Sequence, residues 1–250
     1  MKALITDLDR TLLRTDKSVS ERTKAALARC REKGIYVLAA SARPIRDLHE
    51  FDRIIGFDAM VAGNGAVVSL PGRVLDFGIK RESGEQVLSR IMKFPDVLLS
   101  IETDRGLFSS TDIPEWQPIV YGGFPTLPEN VTLYKILVSS PARALYEGIA
   151  DTLTPDVYHT LANGNLIQVM SREATKWNGV SHMLAHFGIS PADAVYFGDD
   201  NDDLEPIKNC GLGVAVSNAI PAVLAAADKI TSGNDEDGVA AFIETYILVS

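Results

Sequence analysis

Acidic residues gather at the ends of two apolar stretches of the chain. Asp7 and Asp9 follow the run KALIT in the segment DLDRTLL, and residues two apart on a strand project to the same side. Asp199 and Asp203 follow the run AVYFG in the segment GDDNDDLEPI. Carboxylates that meet in one crevice repel one another unless a hard cation joins them, and Mg²⁺ favours a few carboxylates, waters and a phosphate oxygen. The pattern is therefore typical of a magnesium site.

The segments that must position these acids alternate between short apolar runs and amphipathic helices. Runs at 2–6, 35–40 and 194–198 are predicted strands, and 20–33 and 175–187 are predicted helices. Ser18 and Glu21 fit a capping box at the start of the first helix. This alternation predicts βαβ units and a doubly wound, Rossmann-like α/β core with a parallel sheet. Ligands bind beyond the carboxyl ends of the strands in such sheets, which is where the acids lie.

The middle of the chain has a different pattern of predicted secondary structure. A helix is predicted at 82–94, a hairpin at 97–110 and a second hairpin that turns at Asn163-Gly164-Asn165. Antiparallel pairs mixed with helices predict an α+β domain inserted into the parallel one. We therefore expect a core formed by 1–79 and 163–250, with an inserted domain at 80–162.

Charge and composition exclude several classes of protein. The formal net charge of -9 argues against a nucleic-acid or anionic-membrane partner, because both require a basic face. The two cysteines, Cys30 and Cys210, suggest no disulfide framework and no zinc site. The sequence contains no recognisable secretory signal and no run long enough to span a bilayer, so we expect a cytoplasmic protein.

Four segments in order carry a resemblance to a known family. DLDRTLL, Ser41 after the second strand, Lys176 and GDDNDD resemble the four motifs of the haloacid dehalogenase (HAD) superfamily. The stretches SARP, AGNGAVV, NGNLIQVMSREATKWNGV and AVSNA resemble its Cof-type phosphatases. Four motifs in order are far more specific than one DxD pair. The resemblance covers nearly all of the core and implies that the insert, matched only by position and size, is a cap that selects the substrate.

The resemblance implies a role for each motif residue. Asp7 would attack phosphorus and form an aspartyl phosphate, and Asp9 would protonate the leaving group and then activate water. Ser41 and Lys176 would hold the phosphoryl oxygens and offset their charge. The Mg²⁺ ligands would be Asp7, the main-chain carbonyl of Asp9, and Asp199, while Asp203 would complete or orient that set.

Two positions depart from the family pattern. Arg10 stands where the family usually has glycine, and it can reach a substrate anion or point to solvent. Asp202 stands where the family usually has asparagine, and it can pair with Lys176 or turn outward and leave the polar contact to Asn201. Arg43 is either a further anion contact or a surface residue.

The expected function is Mg²⁺-dependent hydrolysis of a small phosphorylated metabolite, such as a sugar phosphate, by a monomer or small homo-oligomer. Asp9 disfavours dehalogenases and ATPases of the family, which lack an acid at that position. One alternative is a phosphomutase or phosphotransferase that uses the same Asp7 chemistry. The other is a catalytically weak metabolite-binding protein, which Arg10 and Asp202 motivate.

Overall fold

The computed structural model describes residues 1–162 and 164–248, so Asn163 of the predicted hairpin turn lies outside the described residues. The chain divides into two compact units. The first comprises Met1–Leu75 and the chain from Thr175 onward, and the second is Asp76–Ala174. The second unit extends beyond the predicted segment 80–162 at both ends, because Ile79 bridges to Leu133 and the strand at 166–171 pairs within the second sheet.

Strands and helices alternate in the first unit and are mixed in the second. The strands are β1 (Ala3–Thr6), β2 (Tyr36–Ala40), β3 (Ala59–Ala62), β4 (Val67–Leu70), β5 (Arg73–Asp76), β6 (Leu98–Thr103), β7 (Gly106–Ser109), β8 (Ile119–Val120), β9 (Leu133–Ser139), β10 (Val157–Ala162), β11 (Leu166–Ser171), β12 (Ala194–Gly198), β13 (Leu212–Val216) and β14 (Lys229–Thr231). The α-helices are α1 (Glu21–Glu32), α2 (Ile45–Ile55), α3 (Arg81–Ile91), α4 (Arg143–Gly148), α5 (Lys176–His186), α6 (Leu204–Asn209), α7 (Pro221–Ala226) and α8 (Gly238–Phe242).

The sheet of the first unit has the order β14-β13-β12-β1-β2-β3-β4-β5. The pairs from β14 to β3 are parallel, and β4 joins β3 in antiparallel fashion. After β1 the chain first adds β2 and β3 on one side of it, and it later adds β12, β13 and β14 on the other side. Such a reversal of strand order opens a crevice at the carboxyl ends of the two strands. The predicted α/β fold with a parallel-sheet core is confirmed, and the acids after β1 and β12 lie at this reversal.

The second unit is built on a mainly antiparallel sheet of order β10-β11-β9-β6-β7-β8. One face carries the apolar side chains of alternate strand residues, such as Ile101, Ile136 and Val169, and packs against α3 and α4. Because side chains alternate between the faces of a strand, Glu102 and Lys135 lie on the other face, directly opposite each other across β6 and β9.

Local sequence explains how two helices of the first unit begin. Ser20 caps α1 by accepting a hydrogen bond from the Thr23 amide, so the predicted cap at Ser18 was wrong by two residues. The Ser18 amide instead donates to Asp16 in the preceding turn. Thr175 caps α5 in the same manner. Within the described residues, no helix combines the length and apolar character needed to cross a membrane, and the cytoplasmic location stays a prediction.

Candidate active site

The centre of the site is a buried network of two carboxylates and one ammonium group. Asp7 follows β1 directly, and its side chain accepts a hydrogen bond of 2.7 Å from Lys176 Nζ. The same Nζ lies 2.7 Å from Asp203 Oδ1. Asp7, Lys176 and Asp203 are at most 5% exposed. The first residue of α5 therefore joins the acid after β1 to the acid loop after β12.

Asp203 is fixed by four donors. The Tyr196 hydroxyl, from within β12, donates to Oδ1 at 2.6 Å, in addition to Lys176. The backbone amides of Asp199 and Asp200 donate to Oδ2 at 3.0 and 3.1 Å. Charge-assisted hydrogen bonds of this kind hold a carboxylate in one orientation. Asp203 therefore fixes the course of the loop that carries Asp199 and the position of the lysine.

Burial and charge shift the titration of the central groups. Burial raises the pKa of Asp7 well above its usual value, and the carboxylates of Asp203 and Asp199 raise it further against the influence of Lys176. Burial alone would lower the pKa of Lys176, but the carboxylates of Asp203 and Asp7 outweigh it and raise that pKa. The lysine thus stays protonated, and it is shared by two buried carboxyl groups.

Asp199 completes a group of acids with the geometry of a cation site. Oxygen atoms of Asp7, Asp199 and Asp203 lie within 4.8 Å of one another, and all three residues are buried. The Thr11 hydroxyl donates to Asp199 Oδ1 at 2.9 Å. Burial, followed by the charge of Asp203, raises the pKa of Asp199 to about 6. A hard divalent cation suits this donor set, because it takes carboxylate oxygens and would relieve their mutual repulsion.

Asp9 lies in a different environment, two residues from Asp7. Arg43 donates to both of its oxygens, with Nε at 2.5 Å from Oδ2 and Nη2 at 2.7 Å from Oδ1. Lys17 Nζ lies 2.7 Å from Oδ1. Burial raises the pKa of Asp9, but the hydrogen bonds and charges of Arg43 and Lys17 outweigh it and lower that pKa. The sequence offered two interpretations of Arg43, as a contact to a substrate anion or as a surface residue. In the structure it contacts an anion of the protein itself, the carboxylate of Asp9.

Ser41 follows β2 and is buried. Its amide donates to the Val61 carbonyl at 2.9 Å, and its hydroxyl oxygen accepts from the Arg43 amide at 3.2 Å. Because Thr6 pairs with Ala39 across β1 and β2, Ser41 emerges beside the residues that follow β1. The structure thus brings Ser41 to the same edge of the sheet as Asp7.

Asp202 and Arg10, the two residues that differ from the family pattern, each contact a residue near the site. Asp202 accepts a hydrogen bond from the Asn64 side-chain amide, and its charge contributes to raising the pKa of Lys176. Asn201, the other candidate for the polar contact, donates its backbone amide to Asp200. Arg10 adopts a φ of 61° and lies with Nε 3.7 Å from Asp199 Oδ2, with a side chain that is 61% exposed.

Several residues of this site were not foreseen from the sequence, among them Tyr196, Lys17 and Asn64. Tyr196 lies within a fully buried strand and is typical of a core aromatic, and Lys17 lies in a polar loop typical of solvent exposure. Their roles depend on tertiary contacts, which no local pattern encodes. Asn64 did have a signal, because an asparagine between two glycines after a strand indicates a special turn.

Comparison with known proteins identifies the family. The family of haloacid dehalogenase-like hydrolases matches residues 4–243. A phosphatase from Bacillus subtilis, 5-amino-6-(5-phospho-D-ribitylamino)uracil phosphatase YitU, is 27% identical over 257 residues, which cover 96% of this chain and 95% of that protein.

Solved structures show the same fold over the whole chain. A haloacid dehalogenase-like hydrolase from B. subtilis has a TM-score of 0.85 at 21% identity and covers 99% of this chain and 100% of its own. The sugar phosphatase BT4131, of HAD subclass IIB, has a TM-score of 0.81 at 21% identity and covers both chains completely. The resemblance predicted from the four motifs is confirmed, and the chain belongs to the haloacid dehalogenase-like hydrolases as a Cof-type member of the superfamily.

Proposed function

We propose that this protein is a Mg²⁺-dependent phosphatase of small phosphorylated metabolites in which Asp7 is the nucleophile. The observation that carries the proposal is the buried Asp7–Lys176–Asp203 network at the reversal of strand order. It supplies a carboxylate that a protein cation holds in place, next to two further acids that can share a divalent ion. The relatives that are named phosphatases favour transfer of a phosphoryl group over the other reactions of the superfamily.

The first half of the reaction is transfer of the phosphoryl group to the protein. A carboxylate oxygen of Asp7 attacks phosphorus, the bond from phosphorus to the ester oxygen breaks, and an aspartyl phosphate forms. Lys176 and Ser41 would hold the phosphoryl oxygens during this transfer. Mg²⁺, held by Asp7, Asp199 and the Asp9 carbonyl with Asp203 orienting the set, would supply positive charge to the phosphoryl group.

Asp9 would act as the acid and then as the base. It donates a proton to the leaving ester oxygen, and in the second half it takes a proton from the water that attacks the aspartyl phosphate. In the absence of substrate, Arg43 and Lys17 stabilise its ionised form, which opposes the first of these tasks. The proposed cycle therefore requires that these cations loosen their hold on Asp9 when a substrate dianion arrives and competes for them.

The substrate class follows from the relatives and stays part of the proposal. YitU is named for a phosphorylated ribityl compound and BT4131 is named as a sugar phosphatase. Both names indicate polyhydroxylated phosphate esters, so we expect a substrate of that kind here. The second unit, with Glu102 and Lys135 paired on the face away from its apolar core, is proposed to be the cap that selects it.

Phosphate release from p-nitrophenyl phosphate, followed by a panel of sugar and polyol phosphates, tests the proposal. The wild type should require Mg²⁺, and Asp7→Asn should lose at least about a thousandfold in kcat/KM because the nucleophile is gone. Asp16→Asn replaces an exposed acid in the loop between β1 and α1. It is the matched control and should keep the wild-type rate. Release without Mg²⁺, or an active Asp7→Asn variant, would overturn the mechanism.

A further inference from the structure

The turn Gly63–Gly65, which follows β3, contacts three segments that carry proposed site residues. The Asn64 amide donates to the Ser41 carbonyl at 3.0 Å, and the Gly63 amide donates to the Arg43 carbonyl at 2.7 Å. The Asn64 side chain donates to Asp202. This one turn therefore binds the loop after β2 through its backbone and the loop after β12 through a side chain.

The third segment is the start of α5. A Cβ atom on Gly65 would lie 2.1 Å from the Thr175 carbonyl oxygen, so no residue with a side chain fits there without moving the backbone. Thr175 is the cap of α5 and precedes Lys176 directly. The close approach of the two backbones thus sets the position at which Lys176 enters the site.

Asn64 is itself held in an unusual conformation. Its φ is 61°, in the left-handed region that asparagine and glycine adopt more readily than other residues, and it is only 3% exposed. In this conformation the backbone amide and the side chain face different loops, one containing Ser41 and the other containing Asp202. A buried residue that hydrogen-bonds to two loops in this way couples their positions.

We infer that Asn64 is a positioning residue for the phosphate site: through Ser41 and Asp202 it holds the loops after β2 and β12 in register with Lys176. This inference rests on the proposed function. It also gives a physical account of Asp202, where the family usually has asparagine. A carboxylate at this position accepts a hydrogen bond from the Asn64 amide, so the pair supplies one donor and one acceptor.

The pair can be tested by exchanging its members. Asn64→Gly keeps the backbone conformation and removes only the side chain. Asn64→Asp places a second carboxylate against Asp202, whereas the double variant Asn64→Asp/Asp202→Asn restores a carboxylate–amide pair with the roles reversed. Asn130→Gly is the control, because Asn130 also has a positive φ, of 53°, and is exposed.

Both single Asn64 variants should lose about 10- to 100-fold in kcat/KM, the usual effect of removing a support of a ligand-binding group. The double variant should recover at least about tenfold relative to Asn64→Asp, and Asn130→Gly should match the wild type. A structural role alone would change the melting temperature but not the rate of the folded enzyme. Folded Asn64→Gly and Asn64→Asp variants with wild-type kcat/KM, or a double variant without recovery, would overturn the inference.

Binding of inorganic phosphate in the presence of Mg²⁺ separates this inference from the proposed function. The phosphate concentration that gives half of the shift in melting temperature should rise about tenfold in Asn64→Gly and stay unchanged in Asn130→Gly. An inactive wild type would contradict the phosphatase proposal, and the phosphate titration would still decide the role of Asn64. Equal half-shift concentrations in the wild type and Asn64→Gly would contradict that role.

Discussion

Asp7 and Asp9 are two residues apart in the sequence, yet their surroundings differ in burial, partners and charge. Asp7 is 5% exposed and shares the buried ammonium of Lys176 with Asp203. Asp9 has a side chain that is 34% exposed and accepts hydrogen bonds from Arg43 and Lys17. Asp7 has to share one cation with a second carboxylate, whereas the single carboxylate of Asp9 is bound by two cations. The difference shows how one strand end can hold two carboxylates in chemically distinct environments.

The pKa shifts of the two residues point in opposite directions for this reason. Burial raises the pKa of Asp7, whereas the cations around Asp9 overcome its partial burial and lower its pKa. A buried acid with a raised pKa gains most from a divalent ion, because the ion replaces the missing positive charge. An acid bound by side-chain cations can be released by a competing anion. The first environment therefore suits metal binding, and the second suits a group that changes its protonation state during turnover.

Removing one cation from each environment should reveal the largest difference between them, in the free energy of unfolding. Lys176→Met leaves Asp7 and Asp203 buried without their shared partner, and we expect a loss of about 3–5 kcal/mol in the free energy of unfolding. Arg43→Met breaks a partly exposed ion pair, in which Asp9 keeps Lys17 as a partner, and should cost no more than about 1 kcal/mol. Urea denaturation without metal measures both. Equal losses in the two variants would contradict the contrast.

Replacing Asp9 should affect substrates according to their leaving groups. Asp9→Asn removes the proposed acid, so an alkyl phosphate should lose about 10²- to 10⁴-fold in kcat. The p-nitrophenolate anion is a good leaving group that does not need a proton, so p-nitrophenyl phosphate should lose much less in the first half-reaction. Single-turnover rates with both substrates measure the difference. An identical loss for the two esters would show that Asp9 does not protonate the leaving group.

Magnesium should stabilise the environment of the Asp7 carboxylate and leave that of the Asp9 side chain largely unaffected. At a Mg²⁺ concentration about 100-fold above the dissociation constant, binding to the folded state adds roughly 2.7 kcal/mol. Thermal melting with increasing MgCl₂ measures this gain. Asp199→Asn should abolish most of it, and Arg43→Met should retain it. A gain that survives in Asp199→Asn would exclude the proposed ligand set.

Lowering the pH should have a smaller effect, and its sign distinguishes the two environments. The pKa of Asp199 is raised to about 6, so without metal the folded state binds a proton that the unfolded chain, with a pKa of about 3.9, does not bind. Stability should therefore rise as the pH falls from about 7 to about 5, by about 1–2 kcal/mol relative to Asp199→Asn. The lowered pKa of Asp9 acts in the opposite direction, and its contribution is lost only below about pH 4. Urea denaturation of both proteins in EDTA checks the sign, and a wild type that loses stability relative to the variant would refute it.

The sequence predicts this fold and the location of its acids because both depend on local patterns. Apolar runs that end in Asp7 and Asp199 place these residues at the carboxyl ends of parallel strands. The order of the strands in the sheet was not predicted and is seen only in the structure. The motifs identify Lys176 only through the resemblance, since a lysine at the start of a helix is usually solvated.

The partners of these residues could not be read from the sequence in the same way. Lys17 and Arg43 are distant from each other along the chain and meet only at Asp9. Asp202 had two expected environments, and neither included Asn64, because the turn after β3 approaches the loop after β12 only in the folded sheet. Contacts of this kind depend on tertiary structure, which the local pattern leaves open.

The position of β1 in the middle of its sheet has a consequence for how the enzyme acquires its activity. β1 pairs on one side with β2, which follows soon after it, and on the other with β12, so that Leu4 lies opposite Val195. Asp7 and Lys176 are 169 residues apart. Contacts this distant form late and slow the folding of a domain. During synthesis on the ribosome, Asp7, the proposed nucleophile, is therefore made well before Lys176, and the site cannot assemble until both residues are available.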